Sequence, residues 1–131
     1  MSIELNHTIV LSEDKLVSAE FLADLLGLGT TMFGPFAQVT TANGVGLDFA
    51  TAPKGDITPQ HYAFLVSDEE FDAAFAKIQA RGLTYWADPM HRREGEINRN
   101  DGGRGVYFLD PSGHNLELIT VPYGGWPTSR G

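Results

Sequence analysis

Hydrophobic and polar positions run through the same succession of patterns twice. Residues 3–11 (IELNHTIVL) alternate, with His7, Ile9 and Leu11 on one face and Thr8 and Val10 on the other, which predicts a strand. Val17, Phe21 and Leu25 then recur every four residues with Leu22 and Leu26 beside them, the stripe of an amphipathic helix. Ser12 stands as its N-cap, Glu13 and Asp14 suit its positive end, and Gly27 closes it. Three short strands are expected over 29–33, 36–41 and 45–51, punctuated by Gly34-Pro35 and Asn43-Gly44. Residues 53–59, polar and holding two prolines, form a linker between halves of one domain.

The second pass opens with a strand over 61–66 (HYAFLV). Ser67 and Glu70 make a capping box, Phe71, Phe75 and Ile78 mark a buried helical stripe, and Gly82 ends the helix. A strand opens over 83–86. Residues 88–104 are polar, with four arginines balanced by four acids. Residues 107–120 (YFLDPSGHNLELIT) then read as strand, tight turn, strand; Asp110-Pro111-Ser112-Gly113 has the chemistry of a type I turn, with Asp110 stabilising it. Residues 122–131 are Gly- and Pro-rich and irregular, with Trp126 as their anchor.

Laid on one another, the halves match. His7 stands 20 residues before Gly27, and His61 stands 21 before Gly82. GVGLDFAT (44–51) lies on GHNLELIT (113–120) without a gap, so Asp48 falls on Glu117, each between apolar neighbours. Each half is β-α-β-β-β, opening with a histidine and closing with a carboxylate. A lone Glu between Leu116 and Leu118 would be an ordinary solvent-facing residue of a one-sided sheet. Two histidines and two carboxylates at duplicated positions point instead to a metal site. Imidazole nitrogen with carboxylate oxygen suits one divalent ion of Zn, Fe, Mn, Ni or Co and leaves positions open for a substrate.

Composition narrows the field. A chain of 131 residues fits one domain, 1–131, with module one at about 1–52, module two at about 60–121 and a tail at 122–131. Zero cysteines exclude disulfides, thiolate metal sites and a cysteine nucleophile. The first 20 residues carry charges and no long apolar run, so neither a signal peptide nor a membrane span is expected, and a cytoplasmic location is. The net charge of −8 disfavours a nucleic-acid partner.

With these residues in view, the chain resembles the vicinal oxygen chelate superfamily, which holds glyoxalase I, extradiol dioxygenases, fosfomycin-resistance transferases and bleomycin-resistance proteins. The resemblance implies an α+β fold of two tandem βαβββ modules forming a curved, incomplete β-barrel around a cleft, in a homodimer. It implies a metal triad of His7, His61 and Glu117, with Asp48, a residue shorter than the Glu expected there, as a fourth ligand. Tyr107 and Glu117 are the implied catalytic residues, and Phe33, Trp86, Tyr107 and Arg92 are expected to line the substrate pocket. The local match is closest to the fosfomycin-resistance enzymes, at Asn6-His7, at 61–64 (HYAF) and at 107–111 (YFLDP). Ile9 replaces their threonine, however, and 119–121 lacks their basic residue, which a phosphonate dianion would need.

The expected function is therefore a divalent-metal-dependent enzyme of the glyoxalase/dioxygenase type acting on a small substrate that chelates the metal. Lyase or isomerase, dioxygenase and transferase chemistry all stay open. The alternative is a metal-free, bleomycin-resistance-like protein that sequesters an antibiotic, for which the acidic charge and the aromatics would serve. His91 and His114 are assigned to turns or the surface.

Overall fold

The computed structural model describes residues 3–127. They divide into two compact units: residues 3–59 with Asp110–Gly113, and Gln60–Leu109 with residues 114–127. Each unit holds one helix and one open four-stranded sheet, the α+β pair of βαβββ modules that the repeat predicts.

In the first module the strands are β1 (His7–Ser12), β2 (Thr31–Phe33), β3 (Phe36–Thr40) and β4 (Gly46–Thr51), and the helix is α1 (Lys15–Leu26). The sheet order is β1-β4-β3-β2, with β1 parallel to β4 and the other pairs antiparallel. α1 lies against β1, β3 and β4. The first strand begins at His7, not at residue 3. Ser12 is not the N-cap either: it ends β1, where its buried Oγ bonds Ser18 Oγ at 2.8 Å and accepts from Asp14 N–H. Asp14 caps α1, its Oδ1 accepting from Leu16 and Val17 N–H. The buried face of α1 is consequently Ser18, Ala19, Leu22, Ala23 and Leu25, and Val17 is exposed. A serine can sit in that face because Ser12 satisfies its hydroxyl. Gly27 closes the helix in the left-handed conformation, as its position predicts.

The second module has β5 (His61–Leu65), α2 (Asp68–Ala80), β6 (Tyr85–Trp86), β7 (Gly105–Leu109) and β8 (Asn115–Ile119). Its order, β5-β8-β7-β6, repeats the first, again with one parallel pair. The Ser67–Glu70 capping box is present in both directions. Phe71, Ala74 and Ile78 are its buried stripe, and Phe75 is half-buried. Arg104 reaches back to the first turn of α2, bonding Asp72 at 2.7 Å and Asp68 at 3.1 Å with its guanidinium over the Phe71 ring.

The turn between β7 and β8 has the expected chemistry. Asp110 accepts from Ser112 N–H through its side chain and from Gly113 N–H through its carbonyl. Ser112 Oγ in turn accepts from Glu13 N–H. Trp126 does not anchor the tail: it is exposed. Residues 128–131 of that tail lie outside the described residues.

Candidate functional site

Period-two alternation and strand register together decide which side chains meet. In module two, β5 runs parallel to β8 with His61 opposite Asn115 and Ala63 opposite Glu117, while Tyr107 of β7 faces Glu117 from the other side. His61, Glu117, Tyr107 and, one strand on, Trp86 therefore share one face. Ala63 carries only a methyl group, which leaves His61 room to lean toward the carboxylate. His61 Nε2 lies 3.0 Å from Glu117 Oε1, and the His61 ring stacks on Tyr107 at 5.8 Å between centroids.

The tautomer of His61 follows from its other nitrogen. Nδ1 lies 3.0 Å from the Asn115 carbonyl oxygen, which can only accept, so Nδ1 carries a proton. Nε2 and Glu117 Oε1 then face each other as two lone-pair atoms unless a proton or a cation lies between them. Glu117 itself is fully buried. A buried carboxylate is costly unless its oxygens are bonded. Tyr123 supplies those bonds, its hydroxyl lying 2.7 and 2.6 Å from the two carboxylate oxygens, and Tyr107 donates to the Tyr123 oxygen at 3.1 Å. Burial, then the neighbouring hydroxyl of Tyr123 and the Glu117 carboxylate, push the Tyr107 phenol up from its ordinary value. Burial and the same carboxylate push Tyr123 up too. Both hydroxyls are thus held protonated as hydrogen-bond donors, which suits orientation of the carboxylate and disfavours a tyrosinate base.

Module one places His7 and Asp48 by the same register logic, His7 opposite Gly46 and Asp48 between Ile9 and Gln38. His7 is exposed; its Nδ1 lies 2.7 Å from Asn6 Oδ1, an acceptor, so its Nε2 carries the free lone pair. Asp48 is buried, and its Oδ1 accepts from Gln38 Nε2 at 2.7 Å. These residues line a cavity of about 230 Å3 with Phe33 and Thr40. Gly46 is among the lining residues, and a Cβ there would stand 2.9 Å from Gln38 Nε2, 3.3 Å from Asp48 Oδ1 and 3.4 Å from His7 Cβ.

The expected residues thus fall into two groups. His61, Glu117, Tyr107 and Trp86 come together in module two; His7, Asp48 and Phe33 come together in module one. Arg92 stands exposed on the 87–104 loop, its N–H bound by Asp88; desolvation pushes the Asp88 carboxyl up, but the Arg93 and Arg92 N–H groups together hold it below its ordinary value. Among the described residues, no group of three or more His, Asp or Glu side chains is gathered so as to hold a metal ion. His114 is buried rather than at the surface, its Nδ1 accepting from Gln60 N–H. Sequence reasoning missed Tyr123 and Gln38. Gln38 was within reach: it stands ten residues before Asp48, as Tyr107 stands ten before Glu117, so extending the internal alignment upstream pairs them. Tyr123 lies in an irregular segment where no periodicity marks it.

Paired βαβββ modules, each opening with a histidine and carrying an acid on its last strand, define the class. The chain belongs to the Glyoxalase/Bleomycin resistance protein/Dioxygenase superfamily, whose profile matches residues 4–118. Among solved structures it is similar to Oxidase ChaP-H2, at 61% identity and a TM-score of 0.92 over 95% of this chain and 98% of that one. Oxidase ChaP-H1 is similar at 60% identity and a TM-score of 0.91, over 95% and 100% of the two chains. A glutathione transferase, FosA of Serratia marcescens, is 32% identical over 120 residues, which are 87% of this chain and 78% of that protein. Among the described residues no helix is long and apolar enough to cross a membrane.

Proposed function

We propose that the chain is a metal-dependent oxidase: one divalent ion held by His7, His61 and Glu117, a small substrate that chelates it, and dioxygen as the electron acceptor. The observation that carries this reading is the His61–Glu117 pair. Its facing Nε2 and Oε1 atoms, 3.0 Å apart, call for a cation or a shared proton between them, and Asn115 fixes the ring in the tautomer that presents a lone pair. The donor set, imidazole nitrogen and carboxylate oxygen, fits a divalent first-row ion. His7 offers the same kind of nitrogen at the duplicated position, its Nδ1 likewise held by an acceptor. Superfamily members commonly use a divalent metal and act on small molecules. The two similar structures at 60% identity or above are oxidases by name, which favours oxidation over lyase or transferase chemistry.

When bound, the ion supplies Lewis-acid polarisation and, if redox-active, electron transfer to dioxygen. The protein's own residues do the rest. Asn115 orients His61 through its carbonyl. Glu117 supplies negative charge in a buried setting. Tyr123 and Tyr107 line up as hydroxyl donors toward that carboxylate, holding a proton at the Tyr123 oxygen within reach of it. The two modules act as one domain, and the chain acts as a cytoplasmic homodimer in this proposal, with His7 supplied by its own chain or by the second copy.

Elemental analysis tests the reading. Purified protein should carry about one divalent ion per chain, and His61→Ala should lose it. Absence of metal, with no binding of added Fe, Mn, Ni, Co or Zn, would contradict the proposal and favour metal-free sequestration of a drug.

A further inference from the structure

Asn115 is bonded to two histidines at once. Its backbone oxygen accepts from His61 Nδ1, and its side-chain Oδ1 lies 3.0 Å from His91 Nε2. An amide oxygen only accepts, so His91 Nε2 is the donor. The His91 ring lies flat on Trp86, with centroids 3.7 Å apart and planes 7° apart. Its backbone is left-handed, φ 59°, an uncommon conformation for a non-glycine residue. The loop around it is closed by hydrogen bonds. His91 N–H bonds the Asp88 carbonyl, Asp88 Oδ1 takes both Arg92 and Arg93 N–H, and Ala87 N–H bonds the Arg93 carbonyl. The loop is wound so as to deliver one imidazole onto Trp86 and against Asn115.

We infer that His91 is a positioning residue for His61. It pins the Asn115 side chain, and the pinned Asn115 holds its own carbonyl where His61 Nδ1–H needs it. Trp86, in register with Tyr107, is the platform that fixes where His91 stands. The polar 87–104 loop is thereby built into the histidine–carboxylate pair through one asparagine, without any of its side chains touching Glu117 in that chain of bonds. The inference rests on the proposed role of His61, and its test is arranged to fail separately from that role.

Two replacements separate the contributions. His91→Phe keeps a flat ring for Trp86 and removes the donor; His91→Gln keeps a donor and removes the ring. The first readout is exchange of the His61 Nδ1 proton with water, followed by NMR in the metal-free protein. Wild type should show a protected proton, His91→Phe should exchange at least about 10-fold faster, and His91→Gln should recover most of the protection. The second readout is Mn(II) affinity, expected to fall about 10- to 100-fold in His91→Phe and to recover in His91→Gln. Should His91→Phe fail to fold, Asn115→Ala, which removes Oδ1 and keeps the carbonyl, takes its place with the same expected loss. Unchanged exchange in whichever of these folds, no protected proton in wild type, or a His91→Gln no better than His91→Phe would overturn the inference. If no variant, wild type included, binds Mn(II) or any of added Fe, Ni, Co or Zn, the metal proposal falls and the proton exchange still decides on His91.

Discussion

The two modules share a backbone plan and differ in what surrounds the acid on the last strand. In module one Asp48 faces Gln38, and a neutral amide donates to it at 2.7 Å. In module two Glu117 faces Tyr107, and it is held by Tyr123 and by His61. The extra methylene of glutamate takes Glu117 to His61, two positions along the neighbouring strand. The shorter Asp48 is engaged instead by its own cross-strand partner. The position opposite the opening histidine differs as well. Gly46 faces His7 and leaves a cavity, whereas Asn115 faces His61 and bonds it. The frame is shared; the differences at Asp48 and Glu117, Gln38 and Tyr107, and Gly46 and Asn115 give one half a histidine–carboxylate pair and the other a lined pocket.

Breaking the support of Glu117 should therefore hurt module two's chemistry and leave module one's pocket intact. Tyr123→Phe removes the donor to both carboxylate oxygens, and metal affinity should fall about 10-fold or more, measured by titration with Mn(II). A smaller, pH-dependent effect follows from the same hydroxyls. Tyr107 and Tyr123 are both held protonated beyond the ordinary tyrosine value of 10.0. With the folded value raised, their contribution to stability is complete below that pH. It is lost as pH rises above it, because the unfolded chain releases protons the folded chain retains. Denaturant titrations from pH 9 upward should show stability falling, and Tyr107→Phe should flatten that fall.

Much of this arrangement is legible in the sequence, and the rest is hidden for physical reasons. The repeat, both helices, every strand and the Asp110 turn follow from periodicity and turn residues, because those signals are local. Ser67–Glu70 shows as a cap because the box is self-contained in four residues. Ser12 misleads because its hydroxyl has a tertiary partner, Ser18, which also lets a polar residue occupy the buried face of α1 while Val17 faces water. The acids and opening histidines stand out because they are duplicated. Tyr123, His91 and Asn115 do not: Asn115 falls on Gly46, which has no side chain to match it, and all three act through contacts that no spacing rule encodes.

In the proposed metal site Glu117, not its twin Asp48, is the anionic ligand. Parallel Mn(II) titrations of Glu117→Gln and Asp48→Asn test it most directly. Both changes keep side-chain volume and remove one charge. Glu117→Gln should lose binding by about 100-fold or more, while Asp48→Asn should stay within a few-fold of wild type. Equal losses in the two variants, or retained binding in Glu117→Gln, would contradict it.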